Sequence, residues 1–256
     1  MSSPDIGFER YRPLGRRARW ARVALVTMIA ADVIAVLSGL REYVLLERLE
    51  TELVTAEELE ASDRRQQVVA FSQLAVYAFA AIFFIRWLHR AYANIVPLGA
   101  QYPRYSTGTA IWSWFVPILN LWRPKQVIND VWRASDPEAP VDQGDTWQQK
   151  DPPLLYGVWW TAWVLLTLAY NADFRIYLRA ETLDELQFSS LFTVVTDGAS
   201  VLAALLAIAV VHRTTDRHEA RAAQLRQTVA AGPAEGESGI LTPPNERRRP
   251  EGDQVR

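Results

Sequence analysis

Four segments of this 256-residue chain contain no Lys, Arg or Glu over the length needed to cross a bilayer: residues 23–40, 68–85, 154–172 and 188–211. About 30 Å of hydrocarbon at about 1.5 Å per residue asks for roughly 20 apolar residues in one helix. Within hydrocarbon every backbone polar group must be satisfied inside the segment, so four such runs restrict the chain to a helical membrane fold. Half of the residues are hydrophobic. The mean hydropathy is nevertheless near zero, because charged connecting segments and a polar tail offset the apolar runs.

Charge orients the segments. Of the 27 Lys and Arg residues, 21 precede the first segment, lie between the second and third, or follow the fourth, and only 6 fall in the other two connections. The positive-inside rule therefore predicts both termini in the cytoplasm and points to a bacterial inner membrane. Arg16, Arg17, Arg19 and Arg22 ahead of the first apolar run resemble the start of an export signal. That run is long, contains Asp32 and lacks a small-residue cleavage site, so a retained signal anchor fits better. The organisation expected is a basic cytoplasmic arm (1–22), a transmembrane domain (23–212) and a polar, largely disordered cytoplasmic tail (213–256) that starts as a short charged helical stretch to about Ala230 and is disordered beyond Ala231. Glu42, Glu47, Glu50, Glu52, Glu57, Glu58, Glu60 and Asp63 make the first external connection acidic, which suits a cation-collecting mouth or a solvated extension of the first helix.

Residues 112–124, Trp-Ser-Trp-Phe-Val-Pro-Ile-Leu-Asn-Leu-Trp-Arg-Pro, test whether a fifth span exists. Its apolar part is residues 110–122, and thirteen helical residues reach only about 20 Å. Pro117 also removes a backbone donor and crowds the carbonyl one turn earlier. A fifth span would place the basic tail outside. The segment 106–135 is therefore expected to be a cytoplasmic-side re-entrant or interfacial helix pair. Pro124 opens its second helix, with Val127, Ile128, Val131 and Trp132 on one face and Gln126, Asn129, Asp130 and Arg133 on the other. The fold class expected is thus all-α, with four transmembrane helices plus this element.

Trp87, Arg90 and Asn94, then Trp114, Phe115, Pro117, Asn120 and Pro124, then Trp132 and Ser135 form three spaced motifs. Through them the chain resembles a bacterial multipass membrane family catalogued as domain of unknown function 4328. The resemblance implies four helices and membrane residence; it implies no substrate, cofactor or catalytic residue. Arg86, Arg90 and Asn94 share one helix face. An Arg90 to Asp130 ion pair, with Asn94 or Asn120 bonding backbone freed by Pro117, is expected to clamp the element to the second span.

Asp32 and Asp197 are the acids inside the four spans, and each costs about 2.5 to 3.5 kcal/mol at a helix centre. Asp32 lies 9 residues from Val23 and Asp197 lies 14 from Val211. With both termini inside, their depths differ by about 7 Å and they can share one polar pocket. Ala31, Ala35 and Gly39, like Ala199, Ala203 and Ala207, recur every fourth position and allow the first and fourth helices to approach closely. Two adjacent carboxylates would not both ionise readily, so one should hold a proton.

A net charge of −2 argues against nucleic acid as a partner. The absence of Cys and the wide spacing of His89, His212 and His218 argue against a metal, and no cofactor is expected. No nucleophile elbow or phosphate loop marks an enzyme. Two roles remain: a noncatalytic protein that organises or regulates membrane components, or a small proton- or cation-coupled transporter using Asp32 and Asp197. The expected partners are the lipid bilayer, a homo-oligomer and other membrane proteins.

Overall fold

A computed structural model describes residues 8–51 and 53–231. It is helical: α1 (Gly15–Thr51), α2 (Ala56–Ala93), α3 (Thr109–Trp112), α4 (Arg123–Ala134), α5 (Leu154–Tyr177) and α6 (Leu183–Ala231). α1, α2 and α6 are long and apolar enough to cross a membrane. α5 has 24 residues but carries Tyr156, Trp159, Trp160, Trp163 and Tyr170. These side chains count as weakly polar on a hydropathy scale, although their rings suit the edge of a bilayer.

Two capping boxes start the helices at one end of the bundle. The Glu58 amide donates to the Thr55 hydroxyl at 3.3 Å while the Thr55 amide donates to the Glu58 carboxylate at 2.9 Å. Thr182 and Glu185 repeat the arrangement at 3.3 and 3.1 Å ahead of α6. The Thr-x-x-Glu spacing pairs orphan donors of the first turn reciprocally. α1 and α2 therefore run past their apolar stretches as an extended hairpin. Leu45, Leu46 and Leu49 are half-buried there, whereas Leu53, in the turn, is 99% exposed and packs on nothing.

In cross-section the long helices follow the order α2, α1, α6, α5, so α1 and α6 form the centre. Small residues make their seam: Ala35, Ala203 and Ala207 are buried. A Cβ added at Gly39 would lie 2.7 Å from Val194 Cγ2, so any larger residue there would have to displace Val194. The Ser190 hydroxyl uses that approach to donate to the Gly39 carbonyl at 3.1 Å. The close packing expected of the first and last apolar segments is what the structure has.

The opposite end differs from the sequence expectation. The arm and the start of the tail are not appendages: α1 begins at Gly15, and the helical stretch expected after Arg213 is a direct continuation of α6 that packs against the rest of the chain. The Leu14 amide donates to Glu219 at 2.7 Å and the Tyr11 hydroxyl to the same carboxylate at 2.9 Å, so α6 caps the start of α1. Buried Arg221 reaches from α6 to the carbonyls of Leu98 (3.2 Å), Ala139 and Pro140 (2.5 Å each). It holds two crossing loops together where Gly99, at φ +95°, passes Val141 too closely for any side chain. The tail from 232, including Arg247 to Arg249, lies outside the described residues.

The element at 106–135 is one helix preceded by turns, not a helix pair. α3 is a single turn. Pro117 and Ile118 then form a γ-turn, with the Leu119 amide donating to the Pro117 carbonyl at 2.8 Å and Ile118 at φ 70°, ψ −55°. α4 is embedded, with Val127, Ile128, Asp130, Val131 and Ala134 all buried, so Asp130 does not belong to a solvated face. Trp160 anchors the turns by donating its indole N–H to the Leu121 carbonyl at 2.8 Å.

Candidate functional site

Every long helix contributes a polar side chain to one point in the apolar half of the bundle. α1 brings Asp32, α2 brings Gln73 and Tyr77 one turn apart, α5 brings Tyr170, and α6 brings Asp197 and Ser200. Asp32 is 0% and Asp197 2% exposed. The Gln73 amide donates to both, at 3.2 Å to Asp32 Oδ1 and 3.3 Å to Asp197 Oδ1. The two carboxylates thus share one pocket, as their depths in the sequence imply.

The tyrosines link the acids by a second route. Tyr77 donates to Asp32 Oδ1 at 2.5 Å, its oxygen lies 2.8 Å from the Tyr170 hydroxyl, and Tyr170 donates to Asp197 Oδ1 at 3.2 Å. Ser200 Oγ sits 3.4 Å from the Tyr77 hydroxyl. Proton counting constrains this chain. Three consecutive contacts need three hydrogens, and two phenols carry two. A third hydrogen on either carboxyl completes the series. With Asp197 protonated, its O–H donates to Tyr170, Tyr170 to Tyr77, and Tyr77 to ionised Asp32; moving each hydrogen along its bond yields the mirror state. The outer oxygens Asp32 Oδ2 and Asp197 Oδ2 are buried without a hydrogen-bond partner.

A polar stripe leads toward the pair from the capping-box end. Ser38 donates to Gln66 Oε1 at 3.0 Å, Gln66 donates to Glu42 at 2.5 Å, and Arg65 donates to Ser38 at 3.1 Å. Gln66, Gln73 and Tyr77 share one face of α2, as Asp32, Ala35, Ser38 and Glu42 share one of α1.

On the other side of the tyrosines lies a cavity of about 380 Å³. Tyr77, Tyr170 and Ser200 line its polar end; Phe84, Trp114, Phe115, Trp159 and Trp163 give it aromatic walls. Trp114 meets the rings of Phe84 and Trp163 edge-on, at 5.8 and 5.4 Å between centroids. The turns around Pro117 therefore matter to the site, because they deliver Trp114 and Phe115 to the cavity wall.

The motif residues otherwise serve the frame. Trp87 is buried and donates to Thr215 at 3.0 Å. The expected Arg90 to Asp130 pair is absent: Asp130 faces Arg133 at 3.4 Å and Arg104 at 3.8 Å instead. Burial pushes the Asp130 carboxyl up to about 6 against the pull of those two guanidinium groups. Asn94 does not serve Pro117 either. It caps α2 and pairs with the arm, donating to the Arg12 carbonyl at 2.7 Å and accepting from the Arg12 amide at 3.3 Å. Asn120 belongs to the 3-10 turn after Ile118, and Pro124 starts α4 from a buried position. Trp132 stacks under the Arg217 guanidinium at 4.2 Å, and Ser135 Oγ lies 2.7 Å from His218 Nδ1. Gln73, Tyr77, Tyr170 and Ser200 escaped the sequence reading. Gln73 was the readable signal, as an amide inside a charge-free apolar run.

Residues 50–216 match the family described as Domain of unknown function (DUF4328), and the chain belongs to it. The match includes Gln73, Tyr77, Tyr170, Asp197 and Ser200, whereas Asp32 precedes it. No curated protein and no solved structure matches the chain.

Proposed function

We propose that this chain is a noncatalytic four-span protein of the bacterial inner membrane, with both termini cytoplasmic, and that it works as a small proton-coupled transporter. α5 joins α1, α2 and α6 as a span, third in chain order, and the turns and α4 cover its cytoplasmic side. The observation that supports the role is the hydrogen deficit in the Asp32–Tyr77–Tyr170–Asp197 series, which a single shared proton fills. Ionisable residues within spans are rare and mark pathways for protons and ions. The stripe from Glu42 through Gln66 and Ser38 supplies polar groups between the acidic external hairpin and the pair. The titratable groups that bear on it are Asp32 on α1, Tyr77 on α2, Tyr170 and Asp173 on α5, and Asp197 on α6.

Infrared difference spectra of the protein in vesicles test the shared proton. At pH 8, above the Asp130 carboxyl at about 6, one protonated-carboxyl band is expected, lost in the Asp32→Asn, Asp197→Asn double variant. Proton flux reported by a trapped pH dye should fall at least tenfold in either single variant that keeps its melting transition. Unchanged band and flux in folded variants would sink the reading and favour the role of organising other membrane components. The exposed Trp112, Phe115, Ile118 and Trp122 around the turns are the surface that second role would use.

A further inference from the structure

The transporter reading leaves open what moves with the proton, and the cavity beside the carboxylates narrows it. Its lining is mostly apolar, with five aromatic walls beside the two tyrosines, and no Lys, Arg or His lines it. At one end three hydroxyls stand between the cavity and two buried carboxylates, each with an oxygen that no donor satisfies. A neutral guest would fill the apolar part and leave the unsatisfied oxygens as they are. A guest with a positive head gains twice more: indole faces attract cations through the ring quadrupole, and the carboxylates behind the hydroxyls attract its charge. A charge touching the hydroxyl end would lie one hydroxyl away from each carboxylate, in surroundings that screen little. The cavity's volume falls within the range of small-molecule sites, enough for a single aromatic ring with a small ammonium head. It reaches the surface at Phe115, which is 72% exposed, and at Ala81 on α2, so a guest soluble in lipid has a lateral entrance.

We infer that the cavity binds a hydrophobic organic monocation, its apolar body among Trp114, Trp159 and Trp163 and its cationic head against Tyr77, Tyr170 and Ser200, where it takes over the charge-balancing role of the proton shared by Asp32 and Asp197. This rests on the proton-sharing reading of the pair, and it adds the substrate class.

Radiolabelled benzyltrimethylammonium and its neutral carbon isostere, neopentylbenzene, provide the test on the full chain in lipid nanodiscs, with empty nanodiscs subtracted. One saturable site per chain is expected for the cation. Unlabelled cation should abolish the signal, and neopentylbenzene at the same concentration should not. Asp32→Asn or Asp197→Asn should weaken binding at least tenfold, and Trp163→Leu about fivefold. Ala81→Trp narrows the entrance from an exposed position without touching the carboxylates. It should lower cation binding at least fivefold while the infrared carboxyl band stays.

Equal competition by the neutral isostere would overturn the cation assignment, as would absence of saturable binding by a folded protein. Binding unchanged in both Asn variants would overturn it too. The two proposals fail separately. A missing carboxyl band with intact, Asp-dependent cation binding removes the shared proton and keeps the site; a band without binding does the reverse.

Discussion

Tyr77 shows how much one hydroxyl can carry. Its oxygen is the only atom touching Asp32, Tyr170 and Ser200 together among the described residues. Tyr77→Phe retains the ring and removes the link. Losing a buried hydrogen-bond partner costs about 1–3 kcal/mol, so the variant should still fold, with its melting point lowered by a few degrees. One phenol then serves the one remaining contact, Tyr170 to Asp197, so the infrared band should weaken and proton flux in vesicles should fall at least tenfold; flux at the normal rate would show that the phenol is not on the route. Asp130 predicts a pH effect of a different kind. Its carboxyl, at about 6 in the folded chain against 3.8 in the free residue, holds a proton that the unfolded chain has released. Stability therefore falls as pH rises through that window, by on the order of 2–3 kcal/mol. Thermal melts between pH 4 and pH 7 should show a shallower decline for Asp130→Asn than for the parent.

Two elements carry opposite lessons about the chain. The γ-turn at Ile118 places a β-branched residue at positive φ, which costs about 1–2 kcal/mol. Glycine tolerates that conformation, and Ile118 packs little, so Ile118→Gly should raise stability by about 1 kcal/mol after its own entropy cost. Ile118→Ala keeps the Cβ and should bring no gain; a melting-point drop in the glycine variant would contradict the assignment of strain. The extension of α6 carries the second lesson. His218 is fully buried, and this holds its imidazole down to about 3, well below its ordinary 6.5. Its neutral form is the folded one, so its contribution is complete above pH 6.5 and is lost as pH falls toward 3. His218→Gln should flatten the acid side of the stability profile, the reverse of what Asp130→Asn does. A short polar stretch after an apolar run reads as a tail in the sequence because Arg213, Arg217, Arg221 and Arg226 dominate its composition. Its tertiary partners turn it into core: loop carbonyls far along the chain for Arg221, the start of α1 for Glu219 and Ser135 for His218.

At the scale of the molecule, the α1 to α6 seam was legible because small residues four apart write their spacing into the sequence, and helical rise turned residue counts into depth for Asp32 and Asp197. The tyrosine link was not, since Tyr77 and Tyr170 sit on helices that flank the seam, and their meeting depends on a packing order that hydropathy does not encode. The Arg90 to Asp130 pair failed for the same reason in reverse: complementary charge on neighbouring elements suggested a contact, while Arg104 in an intervening loop reaches Asp130 instead. Topology remains open to a direct measurement. With no native Cys, Glu57→Cys in the α1–α2 hairpin should react with a membrane-impermeant maleimide on intact cells. Asp142→Cys, in the loop held by Arg221, should react only after permeabilisation. The opposite pattern would invert the orientation.

α6 runs unbroken for 49 residues, so Asp197 and Glu219 ride on one stiff rod about 33 Å apart. Glu219 grips the Leu14 amide just ahead of α1, whose own Asp32 faces Asp197. The central pair of helices is therefore pinned at both a chemical and a mechanical point, and neither helix can rotate about its axis at the carboxylates without twisting against the grip at Leu14. A change of charge at the pair thus has a built-in lever arm that ends at the arm preceding α1.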